Sequence, residues 1–172
     1  MGLTIGIDAR GAADEPAGRG RAGRELLRAL AARDEDHSYR LYARCAWDGA
    51  TLDERFGWRL DGSRDVVWHW RTARAASREC DVLLSSDSYL TTWFVRIPAV
   101  PIVYDLIPFE PALRPRGRSV VIERLTLGPA VRRSAALICI SQATADALVR
   151  HFPAARQGGR RAARRLSCPH GR

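Results

Sequence analysis

The first thirty residues place a short apolar strand, a glycine-rich loop and a helix in that order, which limits the chain to a few folds. Residues 3–8 (LTIGID) have the composition of a strand, and a helix is predicted from about residue 20 to residue 30. Between them, Gly18-Arg19-Gly20-Arg21-Ala22-Gly23 matches the pattern G-x-G-x-x-G. Side-chain-free glycines beside helix-start amides let an anion approach the backbone closely. This unit therefore predicts an α/β domain that handles nucleotides.

The position of the glycines disfavours a dinucleotide site. In dinucleotide-binding folds the glycines follow the first strand at once, and an acidic residue closes the second strand about 20 residues further on. Here residues 9–17 intervene, and the second predicted strand, residues 39–44, ends in Arg44. A tight turn is the structural alternative for these glycines.

Strands and helices alternate along the rest of the chain. Helices are predicted over residues 71–78, 117–133 and 142–151, with Ser141 as the N-cap of the last one. Residues 47–60 are predicted to be a polar connection with a short helix. The alternation favours a doubly wound, mostly parallel sheet of the Rossmann-like α/β class. The predicted strands are residues 3–8, 39–44, 65–70, 81–85, 101–105 and 136–140.

The composition changes near residue 154. Residues 1–153 are predicted to form one domain with its own core. Residues 154–172 offer little apolar surface to bury and hold six of the 28 arginines. They are predicted to form a disordered, arginine-rich tail. An alternative origin is a shift out of the original reading frame, which also predicts an unpacked segment.

The net charge of +9 does not by itself indicate nucleic-acid binding. Every basic residue is an arginine, which points to a coding bias, and no basic stripe with interleaved aromatic residues precedes the tail. The four cysteines and four histidines show no metal-ligand spacing, so no metal site is expected. No apolar run is long enough to span a bilayer and no signal peptide is recognisable, so a cytoplasmic location is expected.

Three segments resemble, in order, the N-terminal domain of family-four GT-B glycosyltransferases. Residues 5–27, with IGIDAR, GRGR and ELL, resemble that family's opening D-x-R … G-I-G-R-Y … E-L. Residues 103–108 (VYDLIP) resemble its H-D-L-I-P segment. Residues 132–144 resemble its R-R-A-D-x-V-I-x-V-S-x-x-T strand-to-helix turn. The resemblance covers residues 3–153.

The resemblance implies transfer of a sugar from a nucleotide-sugar donor to a saccharide or lipid-linked acceptor, without a bound cofactor. The substrate-binding candidates that it implies are Gly18, Gly20, Tyr104, Asp105 and Ser141, whereas no catalytic residue is identified. Tyr104 stands where the family has histidine, which replaces an imidazole with a phenol. Each candidate also has a structural alternative, because glycine and aspartate form turns and serine caps helices.

The donor side of such an enzyme lies on a second Rossmann-like domain, where an Arg/Lys pair and a glutamate-bearing motif hold the nucleotide sugar. No counterpart of these motifs occurs in the 172 residues. The resemblance therefore implies a truncated product that is inactive alone, with a separate C-terminal half as a candidate partner. The alternative is a non-catalytic α/β binding or partner module, either half of a split enzyme or an inactive homologue.

Overall fold

The computed structural model describes residues 2–14, 18–33, 36–47, 52–110, 116–155 and 162–163. The strands are β1 (Thr4–Asp8), β2 (Ser38–Ala43), β3 (Phe56–Leu60), β4 (Val82–Ser85), β5 (Ala99–Val103), β6 (Leu137–Cys139) and β7 (Ala162–Ala163). The helices are α1 (Arg10–Asp14), α2 (Arg19–Ala31), α3 (Asp65–Glu79), α4 (Thr91–Phe94), α5 (Arg118–Arg133) and α6 (Gln142–His151), with 3-10 turns at Ile107–Phe109 and Pro153–Ala155.

The strands form one parallel sheet in the order β3-β2-β1-β4-β5-β6-β7. The chain builds outward from β1 to β3 and then returns to the other side of β1, so that Asp8 of β1 lies opposite Ser85 of β4. This reversal is a topological switch point, and ligands of open α/β sheets bind outside the carboxyl ends of the strands at such a point. The predicted Rossmann-like, doubly wound fold is confirmed.

Both faces of the sheet are covered, because consecutive strand residues point to opposite sides. On β2, Leu41 packs under α1 and α2, whereas Tyr42 packs under α3 and α4. A third cluster joins β5 and β6 to α5 and α6 and includes Val103, Leu127 and Leu148. The core therefore forms two layers around the sheet, and its carboxyl edge is left free for a site.

The predicted strand at residues 65–70 is wrong, because these residues begin helix α3. Trp68, Thr72 and Ala76 are buried at intervals of four residues, which is helical spacing. Val66 and Val67 are both 55% exposed, so the apolar run does not form a buried strand face. Short apolar runs fit either element, and the burial pattern that decides between them lies beyond residue 70.

The predicted connection at residues 47–60 contains a strand instead of a short helix. Phe56–Leu60 pairs with β2 at the edge of the sheet, with Tyr39 opposite Phe56. The rings of these two residues stack with their centroids 4.4 Å apart. Only the first residue of β3 is buried, so the strand lacks the apolar alternation that marks a half-buried strand in sequence.

The glycine pattern lies on a helix and not in a loop. Gly20 and Gly23 are buried within α2, and Gly18 is its N-cap, with a φ of +57°. At the other end of the domain, Ala155 is buried in the core, and Ala162–Ala163 pair with β6. Most of the predicted tail, residues 156–161 and 164–172, lies outside the described residues.

Candidate functional site

A cavity of about 370 Å³ opens beside the carboxyl ends of β1 and β4, at the switch point. This volume falls in the range of small-molecule sites. Three guanidinium groups and three carboxylate groups line it. Its charged lining residues are Arg10, Arg19, Arg44, Asp14, Asp87 and Glu123.

The floor of the cavity is an ion pair between Arg10, which follows β1, and Asp87, which follows β4. Nε of Arg10 donates to Oδ2 of Asp87 at 2.8 Å, and Nη2 makes a second, close contact with the same oxygen. The Asp87 side chain is only 7% exposed and that of Arg10 is 18% exposed. The guanidinium also lies over the ring of buried Trp68, 4.8 Å from its centroid. Arg10 is thus held in place from two sides.

A second ion pair also lines the cavity and joins α2 to α5. Arg19 contacts the carboxylate of Glu123 and donates from Nη1 to the backbone oxygen of Asp87 at 3.2 Å. Its guanidinium also lies 5.5 Å from the centroid of the Tyr104 ring. Arg19 lies in the first turn of α2, so the glycine-rich segment contributes this side chain to the lining of the cavity.

A chain of hydrogen bonds runs from Arg10 to buried Asp8. Arg10 Nη1 lies 3.4 Å from His69 Nε2, and because a guanidinium only donates, Nε2 accepts and the ring proton lies on Nδ1. His69 Nδ1 therefore donates to Thr91 Oγ1 at 2.8 Å. The Thr91 hydroxyl in turn donates to Oδ2 of Asp8 at 3.3 Å. One tautomer of neutral His69 satisfies the whole chain.

Burial shifts the pKa values of Asp8 and His69, each in the direction that favours the neutral form of the side chain. Burial, followed by repulsion from Asp87, raises the pKa of Asp8 to about 7. Burial, followed by repulsion from Arg10, lowers the pKa of His69 to about 4. Near neutral pH the imidazole is uncharged, and Asp8 is poised between its two protonation states.

A second, more apolar groove of about 530 Å³ lies beside the cavity, between the N-terminal halves of α3 and α5. Arg10, Ser88, Ile122 and Thr126 line both spaces, so the two share one rim. The groove's apolar lining residues are Val66, Leu90, Trp93, Ile122 and Leu125.

The structure places the predicted glycines at the start of α2. At Gly18 the φ of +57° and ψ of −120° favour glycine, and an added Cβ would meet no atom within 4 Å. Gly20 is buried. Gly18 therefore has a conformational reason to be glycine, and the space beside it is open for a ligand to approach.

The other three predicted residues follow β5 and β6. Oδ1 of Asp105 accepts from the backbone N–H of Ile107 at 3.0 Å, which is a turn-forming bond. Ser141 Oγ accepts from the backbone N–H of Thr144 at 3.1 Å, so the predicted cap of α6 is confirmed. The Thr144 hydroxyl donates to the backbone oxygen of Tyr104 at 3.2 Å. Among the five candidates, Tyr104 makes side-chain contact with a charged residue of the cavity, Arg19.

The sequence did not single out Asp87, His69 or Glu123. Asp87 lies within the serine-rich segment after β4, so its place at the end of a predicted strand was the available signal. His69 was hidden by the wrong strand at residues 65–70. Glu123 is one polar residue in a helix, and only the packing of α5 against α2 brings it to Arg19.

Neither protein-family models nor curated protein sequences give a match to this chain. Within the part of the chain that the structure describes, no helix is both long and apolar enough to cross a membrane. The function is therefore argued from the site and from the motifs that meet there.

Proposed function

We propose that this domain is the acceptor-side half of a GT-B-type glycosyltransferase, in which the charged cavity holds the saccharide that receives the transferred sugar. The supporting observation is that residues from separate segments of the family resemblance lie together at one site. The side chains of Arg10 and Arg19, both from the first segment of the family resemblance, line one cavity at the switch point, and Tyr104 from the second segment lies against Arg19.

The charge balance of the cavity fits a neutral polyhydroxylated ligand. Carboxylates accept hydrogen bonds and guanidinium groups donate them, so paired groups offer both partners that a sugar hydroxyl needs. A nucleoside diphosphate needs an excess of positive charge, whereas Arg10 and Arg19 are already paired with Asp87 and Glu123. The cavity therefore suits an acceptor saccharide better than a nucleotide-sugar donor.

In the proposed reaction the domain binds and orients the acceptor and excludes water from one side of it. Holding two reactants in the right geometry lowers the barrier to their reaction. The charge on the departing nucleoside diphosphate must be met by cations of the donor side. The residues described here supply positioning alone.

Calorimetry with a panel of mono- and disaccharides and with UDP- and GDP-sugars tests this proposal. We expect at least one saccharide to bind and nucleotide sugars to bind weakly. Arg19→Ala should weaken saccharide binding about tenfold, since a charge-assisted hydrogen bond contributes about 1.5–3 kcal/mol. Arg21→Ala is the matched control, because Arg21 is an exposed arginine of the same helix turn outside the cavity.

Failure of every saccharide to bind would overturn the proposal, as would equal effects of the Arg19 and Arg21 substitutions. Saccharide binding that never leads to transfer, even with a donor half supplied, would favour the non-catalytic binding module.

A further inference from the structure

We infer that the acceptor is amphipathic: its saccharide occupies the charged cavity, and a hydrocarbon chain attached to that saccharide lies in the groove between α3 and α5. This inference rests on the proposed function and specifies its acceptor as a glycolipid or alkyl glycoside rather than a free saccharide.

The groove presents large apolar side chains to solvent. Val66 of α3 is 55% exposed, and Ile122 and Leu125 of α5 are 40% and 64% exposed. They converge from two helices on one concave space, whose floor includes Leu90 and Trp93. Apolar groups that cluster in this way mark a binding groove better than single exposed residues do.

The groove and the cavity adjoin each other. Ser88 and Ile122 line both, and Arg10 lies between them with its guanidinium directed to Asp87. One ligand that passes over this shared rim can therefore place a polar end against the ion pairs and an apolar end against Leu125. Their volumes, about 370 and 530 Å³, each lie within the range of small-molecule sites.

The chemistry of the groove favours a hydrocarbon chain over a second charged group. Its acidic residue, Asp65, lies 4.0 Å from Arg118, and its imidazole, His69, is already bonded to Thr91 and faces Arg10. Because His69 is uncharged near neutral pH, and the side chains of Arg118 and Asp65 are 83% and 74% exposed to water, the gain available to a ligand in the groove is the burial of apolar surface.

A series of alkyl glycosides of increasing chain length tests the inference. We expect octyl β-D-glucoside or octyl mannoside, kept below its micellar concentration, to bind more tightly than the matching methyl glycoside. Each methylene that is fully buried should raise the affinity about fourfold. Titration calorimetry on the whole chain supplies the affinities.

Two pairs of substitutions make the test specific. Val66→Asn and Leu125→Asn remove apolar lining and should lower octyl glycoside affinity about tenfold while leaving methyl glycoside affinity unchanged. Val67→Asn and Val121→Asn are controls on the same two helices, with exposures of 55% and 56% but outside the groove. All four residues are exposed, so folding should survive each change.

Equal affinity for methyl and octyl glycosides would overturn the inference and leave the proposed function standing. An octyl preference that all four substitutions reduce equally would show nonspecific adsorption and would also overturn it. Sedimentation of the wild type and the variants tests a further outcome. If the wild type is a dimer and Val66→Asn or Leu125→Asn makes it monomeric, a second copy of the chain covers the groove and the inference is wrong. Binding of neither glycoside would count against the inference and the proposed function together.

Discussion

Asp8 is fully buried at the end of β1, where an ionised carboxylate is costly. Its oxygens accept from the backbone N–H of Arg10 and from the hydroxyl of Thr91. Burial also disfavours the charged form of His69, which is the protonated form, and therefore lowers its pKa. Asp8 and His69 thus make opposing contributions to the pH dependence of stability.

The sign of each contribution follows from proton binding. Folding raises the pKa of Asp8 from 3.8 to about 7. The folded state therefore holds more protons in that window, and the contribution of Asp8 to stability falls as pH rises from 4 to 7. Folding lowers the pKa of His69 from 6.5 to about 4, so its contribution rises with pH between 4 and 6.5.

We predict that removing either group leaves the pH dependence of stability that the other group contributes. Relative to the wild type, the free energy of unfolding of Asp8→Asn should rise with pH between 4 and 6.5. That of His69→Gln should fall over the same range. Each slope is at most about 1.4 kcal/mol per pH unit, the value for one proton. Urea denaturation at several pH values measures both, and slopes of the same sign would contradict the burial of both groups in the folded domain.

The ion pair between Arg10 and Asp87 should also stabilise the fold, because removing one partner of a buried pair leaves an uncompensated charge. We predict that Asp87→Ala lowers the free energy of unfolding by about 3 kcal/mol. Arg59 and Glu79 form a matched exposed pair, and Glu79→Ala should cost less than about 1 kcal/mol. Chemical denaturation compares the two, and equal losses would mean that the Arg10–Asp87 pair is effectively solvated.

At the scale of elements, most strands could be predicted because they are buried on both faces. Residues 81–85 and 136–140 form near-continuous apolar runs, which is typical of parallel strands covered by helices. β3 could not be predicted, since it is an edge strand with one buried residue. The start of α3 was missed because residues 65–70, with four apolar side chains among six residues, are too few to show whether the apolar positions repeat with a helical or a strand period.

Local capping could also be predicted, because it depends on neighbours in sequence. We expect Ser141→Ala to lower the free energy of unfolding by about 1 kcal/mol, since the first turn of α6 loses its side-chain acceptor. Ser141→Asp should keep most of the stability, because aspartate also caps helices. Thermal denaturation distinguishes them. If Ser141→Asp also weakens saccharide binding, the hydroxyl has a ligand role beyond the cap.

At the scale of the molecule, the site could be predicted only in outline. In a parallel sheet the carboxyl ends of the strands meet at one edge. Asp8 and residues 85–88 could therefore be placed together at the carboxyl edge of the sheet. The partners of Arg10 and Arg19 could not, because both ion pairs join segments 77 and 104 residues apart. The first pair is determined by the pairing of β1 with β4 and the second by the packing of α2 against α5, neither of which a local pattern encodes.

In the proposed function this domain binds only the acceptor, so we predict no measurable glycosyl transfer by the 172-residue chain assayed alone. A radiolabel transfer assay with UDP- and GDP-sugars measures this, with octyl glycosides as acceptors. Turnover by the purified chain, free of any partner, would mean that a donor site exists within it and would contradict the half-enzyme account.

The central claim is that a saccharide binds in the charged cavity at the carboxyl edge of β1 and β4. NMR titration of the isotope-labelled chain with the best-binding saccharide tests it most directly. We predict shift changes at the amides of Arg10, Arg19, Asp87 and Glu123, and none at Thr4 or Asp81 on the opposite edge of the sheet. Shift changes confined to the opposite edge, or absent at saturating saccharide, would contradict the account.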